Sequence, residues 1–182
     1  MVEPSVDISS AITKAIGNTL KAVFPPTLIV SMLSSVKEGG SQTFKPVLFA
    51  PGSSELSSEA RKYLDELATL LKKRPTLSLH ICGRATPDDF KELILISIKL
   101  PPDPKPEQIE ERQRLLKTHG PKLLELATER TRIVRRYLIT DKGLNATQVS
   151  ECRLSFNPDD AQPPRVIVTL WYTDCHNALI KK

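Results

Sequence analysis

Thr86, Asp88, Asp89 and Arg130 are the side chains of this sequence whose types and spacing could do chemistry. The first three fall in "CGRATPDDF", directly after the alternating stretch "TLSLHI", and Arg130 lies in "LATERTRIVRRYL". Carboxylates, a hydroxyl and a guanidinium at the end of a strand can line a pocket where something is bound or cut. The same residues can also simply start a helix. Thr86 fits an N-cap, Pro87 the first helical position, and Asp88 and Asp89 the second and third, where free amides and the positive dipole end favour negative charge. Arg130 stands three residues after Ala127 and four before Val134, at the edge of an apolar stripe. There it needs a carboxylate partner or an anionic ligand, because burying an unpaired charge is costly.

Other catalytic patterns are absent from the sequence: no Gly-rich phosphate loop, no GxSxG, no HExxH, and no cysteine set beside a histidine. The expectation is a protein that is not an enzyme, with no catalytic residue, metal or cofactor. His80 could be a ligand or a base, but His119 and His176 sit in other segments, so it reads as a hydrogen-bonded sheet histidine. Cys82, Cys152 and Cys175 are an odd number with no CxxC pair, which signals neither a disulfide framework nor a zinc knuckle. Buried structural thiols are expected. The formal net charge of +5 suits either an anionic partner or a solvated basic surface. Nucleic acid is excluded as a partner: aromatics make up 5% of the chain, leaving few stacking platforms, and the basic residues are mixed among acids.

The elements that must position these residues follow from periodicity. The 182 residues suffice for one domain with a real core, and 40% apolar with 26% charged residues is the composition of a globular chain. "FKPVLFAPGSSEL" reads as a short strand around 47–49, then a Pro-Gly turn and a helix capped by Ser57. Leu56, Ala60, Leu64, Leu67 and Leu71 form its buried stripe, and "KKRP" ends it. A strand follows, with Leu77, Leu79 and Ile81 on one face and Ser78, His80 and Cys82 on the other. The helix started at Thr86 is expected to run through "FKELILISIKL" to the proline-rich connection "PPDPKP". A charged surface helix, "PEQIEERQRLLKTHG", should close at Gly120 and Pro121, and a third should span "PKLLELATERTRIVRRYLIT". After a turn come a strand near "QVSECRLSF", the loop "NPDDAQPP" and the strand "RVIVTLWYT", apolar on both faces and therefore central. This order predicts an α/β, more narrowly α+β, two-layer sandwich: a mixed sheet of about four strands with helices on one side.

Residues 1–43 differ, carrying Ile8, Ala11, Ile12, Ala15 and Ile16 at helical spacing before Pro25, Pro26 and the linker "KEGGSQ". This segment is expected to dock on protein, whether its own domain or a neighbour, since Lys14 and Lys21 make a thin basic face for a membrane surface. Glu3 and Asp7 stand where a secretory signal carries basic residues, and no segment approaches the roughly 18–20 consecutive apolar residues of a membrane span. The chain reads as cytosolic or as a piece of a longer protein.

Several phrases resemble the OmpA-like C-terminal domain. "VLFAPGSSELSSEARKYLDELATLLKKRP" is similar to that family's first strand, loop and helix; "LSLHICGRAT" to the strand that ends Gly-His-Thr-Asp; "LATERTRIVRRYLITDKGL" to "LS..RA..V..YL...G"; and "PPRVIVTL" to its Arg-Arg-Val strand. The resemblance covers residues 44–172 and implies an OmpA-like domain over 44–175, a helical insertion at about 90–121 and a tail over 176–182. In the family the loop aspartate and the helix arginine clamp the diaminopimelate of peptidoglycan. Arg130 stands at that arginine's position, whereas Thr86 occupies the aspartate's, so Asp88 or Asp89 would serve only after a shift of the loop. A closer likeness is to the degenerate OmpA-like tail of large AsmA-like envelope proteins of Gram-negative bacteria, which also carry an apolar "AI.NA/T" helix with prolines, as in "AITKAIGNTLKAVFPP". That likeness implies a periplasmic interaction module tethered by a preceding membrane-anchored part. Its partners would be other envelope proteins or parent-chain domains, with peptidoglycan as the alternative ligand.

Overall fold

The computed structural model describes residues 42–152 and 154–172. Of the segment over 1–43 expected to dock on protein, residues 1–41 lie outside the described residues, as do the tail over 176–182, Cys175 and His176.

A mixed sheet forms one layer. Its strands are β1 (Gln42–Thr43), β2 (Val47–Leu48), β3 (Leu77–Ala85), β4 (Val149–Glu151), β5 (Ser155–Phe156) and β6 (Arg165–Tyr172). They occupy four lanes: β1 and β2 run successively along one side of β6, and β4 and β5 along the far side of β3. β3 and β6 form the antiparallel centre, with Leu79 opposite Leu170, Ile81 opposite Val168 and Gly83 opposite Val166. Alternation of side chains sends Leu77, Leu79, Ile81, Val166, Val168 and Leu170 into the core. Ser78, His80, Cys82 and Arg84 turn to the other face and are half-buried; burial holds the His80 imidazole below its ordinary pKa. β4 and β5 run parallel to β3, so the chain must cross over between them.

Helices α1 (Ser58–Lys73), α2 (Pro87–Ile94) and α3 (Pro106–Arg136) form the second layer. α1 begins where Ser57 accepts a hydrogen bond from the Ala60 amide at 3.1 Å. Its leucines at 64, 67, 70 and 71 meet the inner residues of β3 and β6 in the main core. Beyond α3 the chain widens into a π-helical turn, Tyr137–Asp141, whose Tyr137 hydroxyl donates to Asp65 at 2.7 Å and ties α3 to α1. Burial alone would raise the Asp65 pKa, but hydrogen bonds from Lys142 and Tyr137 outweigh it and hold the carboxyl below its ordinary value.

Three expectations are corrected. The helix from Thr86 stops at Ile94 rather than continuing to Leu100, because Leu95 takes the left-handed conformation (φ 61°) and caps it. The β-branched Ile96 and Ile98 beyond it are poor helix propagators. Gly120 and Pro121 do not divide two helices; α3 runs unbroken for 31 residues with Pro121 inside. Pro121 forfeits one bond to the Lys117 carbonyl, yet both residues are exposed, which puts that carbonyl on the solvent side. The apolar spacing on either side stays in phase: Leu123 and Ala127 join Phe90, Ile98 and Ala85 in a satellite core, with Leu115 and Leu116 packed against it. The front half of α3 is therefore more than a solvated surface helix, and His119 meets the Phe90 ring edge-on at 5.8 Å.

The third correction concerns the cysteines. Cys82 and Cys152 form a disulfide, with Cα atoms 5.2 Å apart, and both are half-buried. The odd count misled because parallel pairing of β3 with the lane of β4 and β5 brings two of the three together, an adjacency invisible in linear spacing. The bridge closes a sequence separation of 70 residues that contains α2 and α3. Chain-entropy arguments give such a loop about 4 kcal/mol. Melting with and without a reductant should therefore show a drop of roughly 10 °C on reduction, and Cys82→Ala/Cys152→Ala should match the reduced protein. An unchanged melting temperature would remove the bridge from the stability account.

Candidate functional site

Thr86, Asp89 and Arg130 meet where the end of β3, the start of α2, the middle of α3 and the turn at 50–53 converge. All three residues are 0% exposed. The Asp89 carboxylate faces the Arg130 guanidinium in a two-pronged pair, Nη2 to Oδ1 at 2.6 Å and Nη1 to Oδ2 at 2.9 Å. Arg130 has three further acceptors on the main chain: Nε donates to the Ser53 carbonyl at 2.8 Å, Nη1 to that of Arg84 at 3.2 Å, and Nη2 to that of Ala50 at 3.1 Å. A guanidinium carries five N–H donors. Every one of them has an acceptor within the domain. The Phe49 ring lies against it as well, 5.2 Å from the guanidinium carbon.

Asp89 is equally occupied. Its Oδ1 also accepts the Gly52 amide at 2.9 Å, and its Oδ2 the Thr86 amide at 2.9 Å and the Thr86 hydroxyl at 3.3 Å. The helix-start reading thus holds for this aspartate, whose side chain reaches back to the amide of the cap residue. Asp88, one position earlier, turns outward, is 47% exposed at its side chain, and pairs with Lys99 at 3.1 Å. Of the two acidic neighbours only Asp89 reaches Arg130, and the structure brings Thr86, Asp89 and Arg130 together while leaving Asp88 apart.

Two glycines shape the surroundings. Gly52 has φ 69°, a conformation glycine adopts without strain, and this turn aims its amide at Asp89. Gly83 lets α3 cross β3 at close range: a Cβ there would stand 2.0 Å from the Ala127 carbonyl oxygen and 2.5 Å from Thr131 Oγ1. The Gly83 amide donates to that Thr131 hydroxyl at 2.9 Å. One turn of α3 thus carries both the threonine that docks on β3 and the adjacent Arg130.

Reading side-chain types missed Ala50, Ser53 and Arg84, which contribute carbonyl oxygens that residue identity does not encode. Only the Pro51-Gly52 turn signalled the Gly52 amide. Chemically the arrangement is saturated, and a molecule arriving from solvent meets neither charged group. Among the described residues no group of three or more His, Cys, Asp or Glu side chains comes together to hold a metal ion, and no helix is long and apolar enough to cross a membrane.

No family model matches the chain, and no curated protein does. Solved structures do. A MotB-like protein from Desulfovibrio vulgaris is 19% identical, with 90% of this chain and 96% of that one covered at a TM-score of 0.56. The OmpA-like domain of FopA1 from Francisella tularensis is 14% identical over 75% of this chain and 78% of its own, at 0.48. The peptidoglycan-associated lipoprotein from Burkholderia pseudomallei is 18% identical over 70% and 90%, at 0.44. A mixed sheet of four lanes with helices packed against it, matched over 90% of this chain by the MotB-like protein, gives the chain the two-layer α/β fold of OmpA-like domains.

Proposed function

We propose that this chain is a non-enzymatic interaction module of the bacterial envelope in which the family's ligand clamp has become an internal lock. The observation that carries the reading is the saturation of Arg130, whose five donors all end on acceptors of its own domain. The clamp arginine remains, but its carboxylate partner has moved from the loop position, now Thr86, to the third residue of α2. A peptidoglycan stem peptide would have to break a buried ion pair to engage it. The Cys82–Cys152 disulfide supports a periplasmic location, since such bonds persist in oxidising compartments. The likeness to AsmA-like tails supports a place at the end of a larger membrane-tethered protein, with partners among its own domains or other envelope proteins.

The test is retention on purified sacculi at low salt. No retention is expected, and Arg130→Leu should change the melting temperature without changing that result. Retention that falls on Arg130→Leu while the melting temperature holds would instead establish the peptidoglycan-binding alternative, anchored through Arg130. One structure similar to this chain is named a peptidoglycan-associated lipoprotein, so sacculi are the relevant probe.

A further inference from the structure

Arg84 and Arg165 stand directly opposite each other in the antiparallel pairing of β3 with β6, and so share one face of the sheet. It is the face turned away from the helices, and both residues are half-buried there. Like charges in that arrangement destabilise a sheet unless a group of opposite sign joins them. Arg165 has such a partner: its Nη2 donates to Asp160 Oδ2 at 2.9 Å and its Nη1 to the Pro163 carbonyl at 3.0 Å, which fixes the guanidinium. The Arg84 guanidinium has no hydrogen bond or ion pair among the described residues, although its main-chain carbonyl accepts from Arg130. Asp159, the other carboxylate of the 157–164 loop, pairs with Arg112. Two guanidiniums therefore share one carboxylate, and the pair is one negative charge short.

We propose that Arg84 and Arg165 receive a single carboxylate carried by an apolar peptide segment of a partner protein. The planar fork of a guanidinium matches the two oxygens of a carboxylate, and Arg84 has its fork to offer. The neighbours on that face select the rest of the ligand. Strand register puts Leu48 beside Arg165 and Ser155 beside Arg84. One row along the strands lie Ile167 and the half-buried Cys82–Cys152 bridge. Leu48 is 45% exposed, an apolar side chain in water at the rim of a cationic pair, so a carboxylate flanked by aliphatic side chains gains on both counts. A phosphate monoester, with about −1.5 to −2 charges at neutral pH, exceeds the single missing charge and is repelled more strongly by Asp160. This row lies across the sheet from the helix layer that holds Arg130, so the inference stands whether or not the Arg130 lock is closed.

A magnetic-resonance titration of the full chain, followed at the Arg84 Nε–H and at the amides of Leu48 and Ser155, tests it. Acetyl-Leu-Glu-Leu-amide presents the carboxylate on a side chain, and acetyl-Leu-Leu presents it at a C-terminus. At low salt at least one of them should shift these resonances saturably, with a midpoint on the order of 1 mM, and the tighter one identifies the source of the carboxylate. Acetyl-Leu-Gln-Leu-amide should leave them in place. Arg84→Gln should weaken the binding about tenfold, with a melting temperature unchanged or slightly raised because one of two opposed like charges is gone. Leu48→Ser should weaken the peptides about threefold and leave the weaker binding of acetate unchanged. No saturable shift from either peptide, an equal shift from the glutamine peptide, or tighter binding of inorganic phosphate would each overturn the proposal. So would a lowered melting temperature in Arg84→Gln, or peptide binding that Leu48→Ser does not weaken.

Discussion

Arg130→Met should destabilise the domain by about 3–5 kcal/mol, because it leaves the Asp89 carboxylate buried without its counter-charge. The carbonyls of Ala50, Ser53 and Arg84 lose their donor as well, and each buried unsatisfied acceptor adds its own cost. Asp89→Leu should cost a similar amount for the complementary reason, and should free the Gly52 amide besides. Removing both charges in Arg130→Met/Asp89→Leu should be far milder than the sum of the two, since no isolated charge remains in the interior. Arg130→Lys discriminates further. It keeps the charge but lacks the planar fork that reaches two carboxylate oxygens and three carbonyls, so it should recover little. Denaturant melts of the four variants measure this, and additive effects would show that the two side chains do not act as a unit.

Gly83→Ala is the second substitution expected to have a large effect, at least about 3 kcal/mol. The new methyl would meet main chain first, the Ala127 carbonyl oxygen at 2.0 Å, and no rotamer can relieve that contact. α3 would have to lift from β3, which also breaks the Gly83 amide bond to Thr131 and shifts Arg130 away from its acceptors. Thr131→Ala should fail to rescue the variant, because the nearer obstacle is backbone. Rescue would place the clash at the hydroxyl instead. A methyl at Gly120, by contrast, meets nothing within 4 Å, so Gly120→Ala is the matched control and should leave stability unchanged or slightly raised.

The same contrast between side chain and backbone explains what was legible in the sequence. Ser57 as a cap, the alternation along β3, the two apolar faces of β6 and the start of α2 at Thr86 are local properties, and each appears where residue type and spacing place it. Arg130 at the edge of an apolar stripe also signalled a charge in need of a partner. What spacing could not supply was the partner's identity, since Asp88 and Asp89 are neighbours in sequence and only a helix start in place sends one inward and the other out. The carbonyl acceptors were invisible for a stronger reason: they depend on where the chain turns. Pro121 misled in the opposite sense. Its local preference to end a helix is overridden by Leu115, Leu116 and Leu123 packing in register on the satellite core. The disulfide needed the pairing of β3 with the lane of β4 and β5, which only the tertiary crossover creates.

Nuclear magnetic resonance of the Arg130 Nε–H proton tests the closed lock most directly. With the side chain fully buried and its donors engaged, this proton should exchange slowly with water. Its resonance should stay fixed as a diaminopimelate-containing muropeptide is titrated in to millimolar concentration. Rapid exchange in the free protein, or a saturable shift with contacts from the muropeptide to Arg130, would contradict the account and make the site a receptor.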